Sequence, residues 1–115
     1  MVIEISVFID SSILVAYANK DDQNHAESEK IISGIFSDKY GKPVISDYIF
    51  DEVVTVCLAR TKSTEITKRL GNYLLNSQVT LLRIDDDTFD EAWNIFSKSG
   101  KLSFTDCATI ALMKI

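Results

Sequence analysis

A three-layer α/β/α sandwich around a central, mainly parallel sheet is the fold this sequence predicts, and two features predict it. Short apolar runs alternate along the chain with longer stretches of helical periodicity, the order that buries a parallel sheet between helices. The apolar runs are nearly continuous rather than strictly alternating, as strands covered on both faces require. With 115 residues and a hydrophobic content of 46%, one domain spanning residues 1–115 is expected. About two-thirds of the unfolded surface is buried at such a length, so packing alone can hold the core.

The elements follow in order. Val2 to Ile9 ends in the apolar run Val7, Phe8, Ile9 and reads as the first strand. From Ser12, the residues Ile13, Leu14, Ala16, Tyr17 and Ala18 predict a short apolar helix, closed by the polar cluster Asn19 to Asn24. A second helix fits His25 to Phe36, with Ile31, Ile32, Ile35 and Phe36 on one face. Gly41 and Pro43 mark a loop before a short strand at Val44 to Ser46. Ile49, Val53, Val56 and Cys57 repeat at helical spacing within Asp47 to Arg60, and Ile66, Leu70, Tyr73 and Leu74 do so within Thr64 to Leu75. Val79 to Ile84 reads as a third strand. Asp85 to Asp87 then offer N-caps for a helix through Ser97 whose apolar positions are Phe89, Ala92, Trp93 and Phe96. After a loop at Ser99 to Ser103, a last helix runs from Thr105 to Ile115 with no glycine C-cap.

Composition excludes several classes. Cys57 and Cys107 are the only cysteines, outside any CxxC pair, and no signal peptide precedes the first strand, so a reducing, cytoplasmic setting is expected. Charges break every apolar stretch well before the roughly 20 residues of a membrane span. A net charge of −5 is the wrong sign for a protein that grips polynucleotide by a broad basic surface. It is compatible with a nuclease whose carboxylates are neutralised by their own metal ion.

Three acids stand at positions that suit chemistry. Asp10 follows the first strand directly, and ligands of open α/β sheets bind at that carboxyl edge; N-capping of the following helix is its competing role. Glu52 lies three residues after Ile49 and four before Val56, on the apolar stripe of its helix, where an unpartnered carboxylate is costly. A salt bridge to Arg60 or Arg83, or a helix rotated enough to solvate it, is the alternative there. Asp47 and Asp51 read as surface or first-turn acids. Asp106 stands in the first turn of the last helix and shares a face with Ile110 and Met113; interaction with the helix dipole is the competing role. Three carboxylates without a His or Cys cluster suit a hard cation, Mg²⁺ or Mn²⁺.

The stretches Val7-Phe8-Ile9-Asp10-Ser11-Ser12, Ser46 to Val54 and Leu102-Ser103-Phe104-Thr105-Asp106-Cys107 resemble, in order and spacing, the three acidic motifs of PIN-domain ribonucleases. The resemblance covers essentially the whole chain and is nearest to the toxin-type, VapC-like branch of toxin–antitoxin systems. It implies Asp10, Glu52 and Asp106 as the catalytic, metal-binding acids, with Ser12 and Thr105 as supporting hydroxyls and Ser11 as a weaker one. It also implies Mg²⁺- or Mn²⁺-dependent hydrolysis of an RNA phosphodiester, an antitoxin partner and a homodimer. Relatives usually continue into a further strand that ends in a fourth acid, which this sequence does not include. From that departure follow a second reading, an inactive PIN-like RNA- or protein-binding scaffold, and the expectation that a partner covers the open sheet edge. Asp85 to Asp87 are the one cluster placed to substitute for the fourth acid.

Other residues have plainer expectations. His25 has no catalytic role, and Cys57 and Cys107 read as small buried hydrophobes. Phe89, Trp93 and Phe96 read as core rather than as a platform for stacking bases. Arg60, Lys62, Lys68 and Arg69 read as scattered surface charge in preference to an RNA-guiding patch. An aspartyl-phosphate mechanism on Asp10 is the poorer reading, because a second acid is expected two residues later and Ser12 occupies that place.

Overall fold

The computed structural model describes residues 6–37 and 41–114. Three strands, β1 (Ser6–Phe8), β2 (Lys42–Ser46) and β3 (Thr80–Leu82), form one parallel sheet in the order β1-β2-β3. Val7 pairs with Pro43 and Ile45 with Leu81. Six helices flank the strands: α1 (Ser11–Ala18), α2 (His25–Phe36), α3 (Asp47–Thr61), α4 (Thr64–Asn76), α5 (Asp86–Ser99) and α6 (Phe104–Met113). The expected α/β sandwich is therefore the observed fold. Val2 to Ile5 and Ile115, which the expected first strand and last helix include, lie outside the described residues.

Strand β2 explains the layering. Pro43, Val44, Ile45 and Ser46 are all buried, so this strand is covered on both faces, as its unbroken apolar run requires. Ile45 joins the main core with Ile9, Leu14, Val15, Ile32, Ile35, Val53 and Leu74. Val44, pointing the opposite way, faces a hollow shared with Leu112 and Met113 of α6. A second, smaller core joins α5 to α6 through Ala92, Cys107, Ala108 and Ala111. Small side chains at that contact let the two helix backbones approach closely.

The strand starts earlier than the sequence predicts, at Lys42, and includes Pro43. Proline cannot donate to the ladder, but near the start of a strand that loss is tolerated. Four serine and aspartate caps set the helix entries. The Ser46, Ser63 and Ser103 hydroxyls accept from the backbone N–H groups of Ile49, Ile66 and Asp106, each at 3.1 Å, and Asp85 accepts from Thr88 at 2.8 Å. At its other end α5 closes on Gly100, whose φ of 70° is a left-handed conformation that glycine adopts without penalty.

The hydrogen bonds from Thr88 hold the Asp85 carboxyl below its ordinary value of 3.8. A depressed folded-state pKa contributes stability that is present above the unfolded value and lost as pH falls through the folded one. We therefore expect the wild-type melting temperature to fall more steeply below about pH 4 than that of Asp85→Asn, which keeps the acceptor and removes the charge. Thermal melts across that pH range check it; parallel curves would refute the cap's contribution.

Candidate active site

Asp10 and Asp106 come from opposite ends of the chain and meet at one cleft. The cleft, about 220 Å³, is lined by Phe8, Ile9, Asp10, Ile49, Asp106, Thr109, Ile110 and Met113. Asp10 is delivered by the end of β1: Ile9 is buried, its N–H donates to the Val44 carbonyl at 3.2 Å, and the chain then turns outward into α1. Asp106 is delivered by the first turn of α6, fixed by the Ser103 cap on its own backbone N–H. A residue with a carboxylate at the carboxyl edge of the sheet thus lines the same cleft as one held by a helix N-terminus, where the dipole favours negative charge.

The competing capping role for Asp10 is absent. It occupies the N-cap position of α1 with extended backbone, yet its side chain makes no capping hydrogen bond. Its carboxylate instead accepts a short hydrogen bond from the Ser12 hydroxyl. Asp10 is exposed and Asp106 half-buried. Thr105 is half-buried one residue before Asp106, and its carbonyl accepts from the Thr109 hydroxyl at 3.2 Å.

Glu52 sits differently from the sequence expectation. The fully buried residues of α3 are Ile49, Val53 and Cys57, and Glu52, at the margin of that stripe, is half-buried. It makes no ion pair among the described residues; Arg60 lies 4.0 Å from Asp22 instead. Solvent reaches Glu52, so its carboxylate carries no uncompensated burial cost. No group of three His, Cys, Asp or Glu side chains stands within reach of one metal ion among the described residues. Two carboxylates do share the cleft, and Glu52 lies one helical turn beyond Ile49 in its wall.

Three further expectations are corrected. Asp47 is more than a first-turn acid: its carboxylate accepts from the Ile84 N–H at 3.1 Å, tying the exit of β2 to the exit of β3 across 37 residues. Nothing local in the sequence signals that long-range bond. Asp85 is engaged in its cap and, with Thr88 and Arg83, lines a neighbouring hollow that shares Phe8 and Met113 with the Asp10–Asp106 cleft without lining the cleft itself. Phe89, Trp93 and Phe96 are not core: they are 45%, 57% and 37% exposed. The helical spacing was right for one face of α5, but α6 covers that helix through Ala92 and leaves the aromatic face open.

Cys57 and Cys107 are buried, as expected. Burial, reinforced by the neighbouring Asp106 charge, pushes the Cys107 thiol up, so it is no thiolate nucleophile at neutral pH. His25 binds the Ala16 carbonyl through Nδ1 at 2.8 Å, bracing α2 against α1, remote from the cleft residues in the chain. Three larger hollows, of about 730, 660 and 600 Å³, are lined by neither Asp10 nor Asp106. Paired carboxylates, not volume, single out the smaller cleft. No described helix is long and apolar enough to cross a membrane.

Comparison with known proteins agrees with this fold. The family model for the PIN domain matches residues 7–115. The chain belongs to the PIN-domain family. A PIN-type solved structure similar to it is the crystal structure of VapC20 of Mycobacterium tuberculosis, described as a sarcin-ricin loop cleaving toxin. It shares 21% identity over 93% of this chain and 80% of that one, with a TM-score of 0.79. At that identity the likeness establishes the PIN fold. A search of curated proteins finds no match.

Proposed function

We propose that this PIN-domain chain is a Mg²⁺- or Mn²⁺-dependent endoribonuclease acting as the toxin of a toxin–antitoxin pair. The observation that carries the reading is the meeting of Asp10 and Asp106 in one cleft, with the Asp10 carboxylate unused by its own helix. The donor set fits the ion: hard carboxylate oxygens, a neighbouring hydroxyl, no imidazole or thiolate. Mg²⁺ is ordinarily held by one or two carboxylates and keeps several waters.

Asp10 and Asp106 would hold the ion, with Glu52, three residues after Ile49 of the cleft wall, as the third candidate acid. Ser12 orients Asp10 by its hydrogen bond to the carboxylate, and Thr105 stands beside Asp106 as a second hydroxyl. When bound, the ion lowers the pKa of water and stabilises charge on the leaving oxygen of a phosphodiester, so no histidine base is needed. The protein's own contribution is position: the end of a strand and a capped helix bring two carboxylate residues to one cleft. RNA is the substrate, an antitoxin protein the inhibitor, a homodimer the assembly and the cytoplasm the setting, in keeping with two buried, unpaired thiols. The similar VapC20 is described as a sarcin-ricin loop cleaving toxin, which supports the class.

One observation favours the second reading, a non-catalytic PIN-like RNA- or protein-binding scaffold: the absence of a three-acid group among the described residues. Cleavage of a labelled RNA separates the two. We expect cleavage with Mg²⁺ or Mn²⁺ and none with excess chelator. Equal cleavage under both conditions, or none under either, would sink the metal-dependent reading.

A further inference from the structure

Asp47 reaches across the end of the sheet in a way that its own helix does not require. The ladder between β2 and β3 ends with Ser46 paired to Leu82. At Asp47 the chain leaves the strand and enters α3, so the main chain of β2 turns away from the residues that follow Leu82. A buried or half-buried backbone N–H still needs an acceptor there. The Asp47 carboxylate supplies it, accepting from the Ile84 N–H at 3.1 Å in a half-buried setting. The side chain thus adds one more link between the two strand exits after the ladder has stopped. Capping of α3 leaves it free for this, because the Ser46 hydroxyl accepts from the Ile49 N–H.

Both ends of that bond lead to the cleft. On the α3 side, Ile49 follows Asp47 by two residues and lines the cleft, and Glu52 lies one turn further along the same helix. On the other side, Ile84 packs with Tyr48 and Phe104 against the small core of Ala92, Cys107, Ala108 and Ala111. Phe104 stands two residues before Asp106 in α6, and its ring centroid lies 6.0 Å from that of Tyr48. The bond therefore joins the helix that carries Ile49 and Glu52 to the packing that seats the helix carrying Asp106. Misplacement of acting groups by about 1 Å can lower a rate on the order of a hundredfold, so a fixed junction between these helices bears on the chemistry.

We propose that Asp47 is a positioning residue for the cleft, its bond to the Ile84 N–H holding the start of α3 in register with the start of α6. It rests on the reading of the cleft as a metal-dependent nuclease site and adds the residue that sets its walls. Three variants separate the acceptor from the charge. Asp47→Asn keeps the acceptor and loses the charge, Asp47→Glu keeps the charge and moves the acceptor by one methylene, and Asp47→Ala loses both. Each is measured at a temperature where its melting curve shows it folded, for RNA cleavage with Mn²⁺, for Mn²⁺ affinity by calorimetry without RNA, and for exchange of the Ile84 amide proton. Asp47→Glu and Asp47→Ala should lower kcat and weaken Mn²⁺ binding by on the order of tenfold or more, the range for groups that orient metal ligands from outside. KM for RNA should change little, and the Ile84 amide should exchange faster. Asp47→Asn should stay close to wild type in every readout. If Asp47→Ala does not fold, the contrast between Asp47→Asn and Asp47→Glu decides.

Wild-type kcat and Mn²⁺ affinity in Asp47→Glu and Asp47→Ala, with a fast-exchanging Ile84 amide, would overturn the proposal and leave the nuclease reading standing. Losses in Asp47→Asn as large as those in Asp47→Glu or Asp47→Ala would also overturn it and assign the effect to the charge of Asp47. A wild type that neither binds Mn²⁺ nor cleaves RNA would overturn the nuclease reading and this role with it.

Discussion

Asp10→Asn and Asp106→Asn are each expected to lower metal-dependent RNA cleavage by on the order of a hundredfold or more, with the fold intact. Asparagine keeps the size of the side chain and removes the charge that holds a divalent cation, so the loss falls on charge stabilisation in the transition state, about 3 kcal/mol at that ratio. Neither residue contributes a side-chain cap in the native structure. Asp10 makes no capping bond to α1, and the cap of α6 is Ser103, so stability should change little on either substitution. Asp10→Asn leaves the Ser12 hydroxyl an acceptor. Glu52→Gln is expected to act in the same direction but more weakly, within the ten- to hundredfold range typical of groups that act on a metal at one remove. Initial rates of cleavage beside melting curves check all three. Full activity in Asp10→Asn would remove the cleft from consideration.

Leu14→Ala is expected to unfold the protein more readily than any surface change, by about 2–5 kcal/mol. Leu14 is 1% exposed and belongs to the main core with Val15, Ile32, Ile45 and Leu74. Helix α1 has eight residues, too few to persist without tertiary packing, and it packs on α2 and α3. Truncating its principal anchor leaves a cavity that close-packed neighbours fill only in part. Asp10 immediately precedes this helix, so activity should decline at temperatures below the new midpoint, where wild type is unaffected. Denaturant titration gives the free energy; a loss under 1 kcal/mol would mean that α1 is held by something other than its apolar face.

Much of this was legible before the fold was seen, because the elements obey local rules. The helix His25–Phe36 has the bounds its apolar repeat predicts, and Asp85 caps α5 as a run of aspartates before a periodic segment suggests. Asp10 at the end of a strand and Asp106 in a helix's first turn are positions that a strand–helix pattern fixes by itself. What was not legible is rotational and long-range. Periodicity finds one face of α5 and cannot say whether that face turns inward; the small side chains of Ala92, Ala108 and Ala111 decided that α6 packs on the other one. The same ambiguity, about the width of one helical position, moved Glu52 from the buried stripe of α3 to its margin. The bond from Ile84 to Asp47 joins two turns that only the sheet brings together.

These shifts reorder the three acids. Glu52 is solvated enough to be stable without a cation, while the capping role that competed for Asp10 is absent and Asp106 lines the same cleft as Asp10. The pair, rather than the helical glutamate, is the foundation of the proposed metal site.

Anomalous diffraction from crystals of the protein grown with Mn²⁺ addresses that pair most directly. A manganese peak in the cleft, with carboxylate oxygens of both Asp10 and Asp106 at about 2.0–2.2 Å and lost in Asp10→Asn, is the expected result. Manganese found only elsewhere on the surface, or bound in the cleft equally well by Asp10→Asn, would contradict it.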